Sequence, residues 1–260
     1  MTDGAGEGPA WLLSIGRTLS SIVPVTCSPS WVSIKWRGPD PHVGASQIGF
    51  GANIRATLAI CALRVYLAVM TKAQRQRLIN AIYFFASKTK FAGQTKLLKL
   101  LYLLDFEHFK QTGRSVTGLD YEAWSMGPVP RDFRDEWKCG FSDDLARLVN
   151  VREEPTSQEI RQTVVPNEGA QFDDSEFTPR QLGLMSELVA RYRDAYAKDM
   201  VSVTHAQNGA WDKVWRGGQG RNKMIPYELA LPDDCEDRDE ILQSSSEYRG
   251  FLNSLTDSVP

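Results

Sequence analysis

From about residue 71 onward, apolar side chains recur with a helical period. Leu78, Ile79, Ile82, Phe85 and Ala86 repeat at three- and four-residue spacing, which predicts a helix over 71–87. Gly93 interrupts the pattern, and a second helix is predicted over 94–110 with Gly113 as its stop. On a helical wheel of about 100° per residue, Leu97, Leu98, Leu101, Leu104 and Phe109 fill one side of that helix. Lys96, Lys99, Glu107 and Lys110 fall within an arc of about 80° on the other, as a polar face. One residue breaks the division: Asp105 sits in the middle of the apolar arc, with His108 on the same arc.

Beyond Gly113 the pattern shortens. A turn and a strand are predicted over 115–125, ended by Gly127-Pro128, and Pro128-Val-Pro130 leads into a helix to about residue 138. Residues 148–153 and 159–166 read as a β-pair across 154–157. Thr178-Pro179 caps a long helix to about residue 197, with Leu182, Met185, Leu188, Val189 and Tyr192 as its buried stripe. A further helix over 199–208 is broken by Gly209, and Trp211 and Trp215 follow four residues apart. The expected fold class is α+β, predominantly α-helical: a helical domain with a small antiparallel sheet.

Residues 1–69 have a different texture. Only 8 of them are charged, against 54 of the remaining 191, and no period is sustained before about Ile54. A short helix over 55–66 is the one element they suggest. The apolar stretch 52–70 contains Arg55 and Arg64, and a mid-membrane arginine costs about 3 kcal/mol, so a membrane span is rejected. Met70, followed by a polar lead into the first clear helix, is the expected working start. The expected organisation is therefore a poorly structured extension over 1–69, one domain over 70–230, and an acidic tail over 231–260. Six of the eight residues 233–240 are acidic, the signature of a solvated connector or an attractor for a basic partner.

The 260 residues carry 30 basic and 32 acidic side chains, a net charge of −2, which argues against a bare nucleic-acid backbone as partner. Cys27, Cys61, Cys139 and Cys235 are far apart and only three histidines exist, so no metal-ligand spacing can be built. A reduced, cytoplasmic protein is expected. The run from Gly217 to Lys223 resembles a phosphate loop but lacks the strand–loop–helix context, so it is read as a surface turn and no cofactor is expected.

Three candidates for chemistry remain. A carboxylate on an apolar face is costly unless partnered, and Asp105 can be explained in three ways. It satisfies backbone donors of a neighbouring loop with His108 helping, it forms an acid/base pair with His108, or it is a polar binding hot spot. His205 is a packed structural residue or a general base. A small hydrolase or transferase would have to bring Asp105, His108 and His205 into one open pocket. A DNA-binding regulator would instead use a basic face around Lys96, Lys99 and Lys110.

Lys96-Leu-Leu-Lys-Leu-Leu-Tyr-Leu-Leu-Asp105, His108, Gly113-Arg114, Thr117-Gly118 and Tyr121-Glu-Ala-Trp-Ser-Met-Gly-Pro-Val129 together resemble the core motif of the Panacea antitoxin domain. Thr204-His205 followed by Trp211 is similar to that family's closing helix, and the resemblance spans about residues 74–216. The family includes SocA-like and phage-associated GepA-type antitoxins. The resemblance implies a non-enzymatic protein that neutralises a toxin encoded by an adjacent gene through direct binding. In the SocA branch it implies an adaptor that delivers the toxin to a AAA+ protease. It also implies that Lys99, Leu100, Tyr102 and Asp105 belong to the helix core. Tyr121, Trp124, Gly127, Pro128 and Val129 would form a strand-to-helix turn, and His205 and Trp211 the closing helix. Whether these positions determine the fold or touch the toxin stays open at this point.

Overall fold

The structure, a computed structural model, describes residues 70–155 and 160–256. The expectations for 1–69, including the short helix and the rejected span up to residue 69, lie outside the described residues. So do residues 156 and 157 of the 154–157 connection.

Helix α1 (Lys72–Lys88) opens on a capping box, in which the Thr71 side chain accepts from Gln74 N–H and the Gln74 side chain accepts from Thr71 N–H. Helix α2 (Gln94–Thr112) follows and ends at Gly113, which has φ +71°. A Cβ at Gly113 would sit 2.3 Å from the Ile241 carbonyl oxygen, so both the left-handed backbone and a close crossing require glycine there.

Two strands come next, β1 (Tyr121–Trp124) and β2 (Gly127–Pro130), paired antiparallel with Tyr121 opposite Pro130 and Trp124 opposite Gly127. Gly127-Pro128 therefore does not end the strand. It starts the partner, because a strand bonded on one side only tolerates residues without an N–H. The far side of β1 pairs with residues 222–225: Ala123 N–H donates to Lys223, and Asn222 and Ile225 N–H donate to Ala123 and Tyr121, each at 2.8 Å. The expected surface turn at 217–223 thus delivers a third member to this ladder.

Helices α3 (Arg131–Cys139) and α4 (Asp143–Leu148) lead to a second hairpin, β3 (Val149–Pro155) with β4 (Ile160–Pro166). Helix α4 was not foreseen; six residues are too few to display a period. Helix α5 (Pro179–Tyr192) starts at the expected Thr178 cap but stops five residues early. Helices α6 (Ala197–Thr204) and α7 (Ala210–Trp215) follow. A 3-10 turn, Tyr227–Ala230, precedes α8 (Arg238–Thr256). Within the expected acidic tail, residues 238–256 form a helix, and Ile241 buries with Phe109 and Leu231. The class is α+β and mainly helical, with two separate two-stranded sheets among the described residues. No helix among them is long and apolar enough to cross a membrane.

The core forms around α2, which touches α1, β2, β4, α5, α6, α8 and the Tyr227–Ala230 turn. Thirteen consecutive or near-consecutive positions from Lys96 to Phe109 are buried, so α2 has no solvent face over most of its length.

Candidate functional site

A helix enclosed on all sides cannot keep its lysines in water. Lys96 is fully buried, and its Nζ donates to the carbonyls of Lys90 (2.7 Å), Arg193 (3.0 Å) and Ala195 (2.8 Å). These oxygens lie after α1 and after α5, where helical carbonyls run out of partners, so one ammonium ties two helix ends to α2. Lys99, 2% exposed, donates to Pro128 O at 2.8 Å. Burial pulls Lys96 down to about 8 and Lys99 down to about 7, since an ammonium is poorly solvated there. The expected polar face therefore holds only for Glu107 and Lys110, which pair with each other at 2.8 Å. A basic face built on Lys96, Lys99 and Lys110 does not exist.

Asp105 is completely buried. One carboxylate oxygen accepts from Val116 N–H (2.8 Å) and Thr117 N–H (2.7 Å); the other accepts from the Thr117 hydroxyl and from the Tyr121 hydroxyl (2.7 Å). Four donors thus converge on one carboxylate and fix the loop between α2 and β1. Burial raises its proton affinity, and those donors oppose the shift. This is the loop-satisfying reading. His108 holds the same loop at another point, since its Nδ1 lies 2.7 Å from the Arg114 carbonyl, which requires the proton on that nitrogen. Tyr121 and Tyr102, both buried, pack edge to face at 5.5 Å.

The third node is Gly127. Its φ is +97°, and a Cβ there would lie 2.7 Å from Lys99 Nζ, 3.0 Å from Thr204 Oγ1 and 3.1 Å from His205 Nε2. At the Gly127-Pro128 segment α2, β2 and the end of α6 thus meet. His205 stacks on Trp211 with ring centroids 3.8 Å apart, and Trp211 Nε1 donates to Trp124 O at 3.0 Å. Burial, with Lys99 close by, depresses the basicity of His205. Arg134 covers the Trp124 ring at 4.3 Å, and Val129 is buried. Lys99, Gly127, Pro128, Thr204, His205 and Trp211 therefore form one connected cluster. Asp105 and Tyr121 form a second one with the 116–117 loop.

The three acid/base candidates are not gathered into one open pocket. Asp105 is sealed under the 116–121 loop, His108 serves the Arg114 carbonyl, and His205 lies against Trp211 and Gly127. Among the described residues no group of three His, Cys, Asp or Glu side chains is placed to hold a metal ion.

Sequence reasoning missed a further node. Arg75 forks onto the carboxylate of Glu136 (2.9 and 2.8 Å) and also reaches Asp144 (2.7 Å). Glu136 is fully buried, and the Ser142 hydroxyl bonds it as well. The Arg75 guanidinium holds Asp144 down at about 2. The available signal was weak: an arginine in a polar lead gave no hint that a carboxylate sixty-one positions away would meet it.

No curated protein and no solved structure matches the chain. A family model does. Its match begins at Leu97, inside α2, and includes the Asp105 loop, the Gly127 turn and the His205–Trp211 stack. The resemblance read from the α2 and Gly-Pro-Val motifs is thereby shown: residues 97–212 match the antitoxin SocA-like, Panacea domain family.

Proposed function

We propose that this chain is the antitoxin of a two-gene module and neutralises its cognate protein toxin by binding it directly. The observation that carries this reading is the match of residues 97–212 to the SocA-like antitoxin domain. The geometry of the motif residues supports it. Lys99, Asp105, Tyr121, Gly127, His205 and Trp211 all contact other parts of the interior, which suits a scaffold that holds surface elements in place. In this reading they determine the fold, and the toxin meets the variable surface around them. Met126 at the β1–β2 turn and Met224 on the neighbouring ladder member, 60% and 49% exposed, are apolar side chains that such a partner would cover.

The test is co-expression with the product of the adjacent gene. Toxicity of that product alone, its relief by this chain, and co-purification of the two establish the module and direct binding. Relief without a complex, together with loss of the toxin that depends on a AAA+ protease, places the chain in the adaptor branch. No toxicity, or toxicity this chain does not relieve, overturns the reading.

A further inference from the structure

Where the C-terminal end of α2 meets α1, α5 and α8, a cavity of about 550 Å³ opens to solvent. That size falls within the range of small-molecule sites. Three arginines from three different segments line it: Arg77 on α1, Arg114 just after α2, and Arg180 in the first turn of α5. None of them forms an ion pair with a carboxylate among the described residues. Their side-chain contacts are instead neutral. Arg77 Nε donates to Val116 O at 2.7 Å and its Nη1 reaches Glu176 O at 3.5 Å. Arg114 lies over the Tyr248 ring at 4.8 Å, and Arg180 touches Gln111 at 3.4 Å. Glu176 is the one acidic residue of the wall, and its side chain is exposed.

Three guanidinium groups around one cavity, none of them ion-paired and with Glu176 as the one carboxylate of the wall, leave a net positive field there. His108, at the wall, registers it. Burial and the three arginines Arg180, Arg77 and Arg114 all oppose its protonation, against the single support of the Arg114 carbonyl. The guanidinium fork matches carboxylate and phosphate oxygens. A single carboxylate uses one fork in one plane, whereas a polyphosphate offers tetrahedral oxygens in several directions, as three arginines on separate segments require. The hydroxyl-bearing residues Ser115 and Ser244 also line the cavity.

We propose that this pocket binds the pyrophosphoryl group of a small molecule, with Arg77, Arg114 and Arg180 as its ligands. The source of that group is free pyrophosphate or a nucleoside diphosphate. The site is independent of the antitoxin reading.

Calorimetric titration of the full chain at fixed ionic strength, with sodium pyrophosphate, ADP and succinate as probes, tests it. Pyrophosphate is expected to give saturable binding. Losing one charge-assisted contact weakens binding about tenfold, so Arg180→Gln alone should cost about that factor and Arg114→Gln with Arg180→Gln about a hundredfold. Thermal melting of each variant verifies the fold, and Arg180→Gln removes only the long Gln111 contact. ADP binding more tightly than pyrophosphate assigns the nucleotide as the source; the reverse order assigns the free anion. Absence of saturable binding overturns the proposal. So does pyrophosphate affinity undiminished in the double variant, or succinate binding at least as tightly as pyrophosphate.

Discussion

Arg75 and Arg77 are two residues apart on α1 and end in opposite situations. Arg75 turns into the interior and is matched by Glu136 and Asp144, whereas Arg77 faces the cavity at the end of α2 with carbonyl partners only. A related contrast separates the helix α2 region from the cavity. Along α2 the difference is one of enclosure: Lys96, Lys99 and Asp105 are buried and hydrogen-bonded within the interior, Lys96 to three carbonyls, Lys99 to Pro128 and Asp105 from four donors. At the cavity, Arg77, Arg114 and Arg180 have no acidic partner among the described residues. Matched charge inside builds a specific fold, because an unmatched one would be too costly to bury. Unmatched charge at a cavity costs little in water and is available to a ligand.

If that division is right, removing a matched charge should damage the fold most. Arg75→Ala leaves the Glu136 carboxylate buried without its cation, and urea denaturation should show a loss of about 4 kcal/mol. Asp105→Asn places an NH₂ group against donors that all need acceptors, with an expected loss of about 3 kcal/mol and a lower melting temperature. Gly127→Ala combines the φ of +97° with a Cβ 2.7 Å from Lys99 Nζ, and should lose about 2 kcal/mol by the same measurement.

Lys99 gives a subtler effect. Its proton affinity is lowered from 10.5 to about 7 in the folded chain, so the unfolded chain binds more protons between those values. Lys99 therefore makes stability rise with pH through that window, an increment complete above 10.5 and gone once pH has fallen through about 7. Urea midpoints across the window should rise less in Lys99→Met than in the parent chain, with the residual slope due in part to Lys96. The smallest effect on stability belongs to the cavity: Arg180→Gln should change it by within about 0.5 kcal/mol, since it is an exposed substitution. A collapse of the fold in that variant would erase the contrast between the two regions.

Much of this architecture was legible in the chain itself. Glycine stops, caps such as Thr178-Pro179, and apolar spacing located α1, α2, α5 and the β3–β4 pair, because these are local effects of backbone and period. The anomalous position of Asp105 was legible too, since a carboxylate on an apolar arc must find donors, and the motif residues pointed to the antitoxin-like domain. The wheel failed for Lys96 and Lys99 for a definite reason. It assumes one wet face, and α2 has none where α5, α6 and β2 close over it.

Sequence alone thus determined that α1, α2 and α5 would be helical, that α2 would stop at Gly113, and that Asp105 needed donors, all consequences of neighbours within a few positions. Only the tertiary structure decided which charges would be matched. Arg75 meets Glu136 and Lys99 meets Pro128 across tens of residues, while Arg77, Arg114 and Arg180 line one cavity with no carboxylate paired to any of them among the described residues. Electrostatic pairing acts over distances in space, and those distances are set by how the elements pack rather than by their order along the chain.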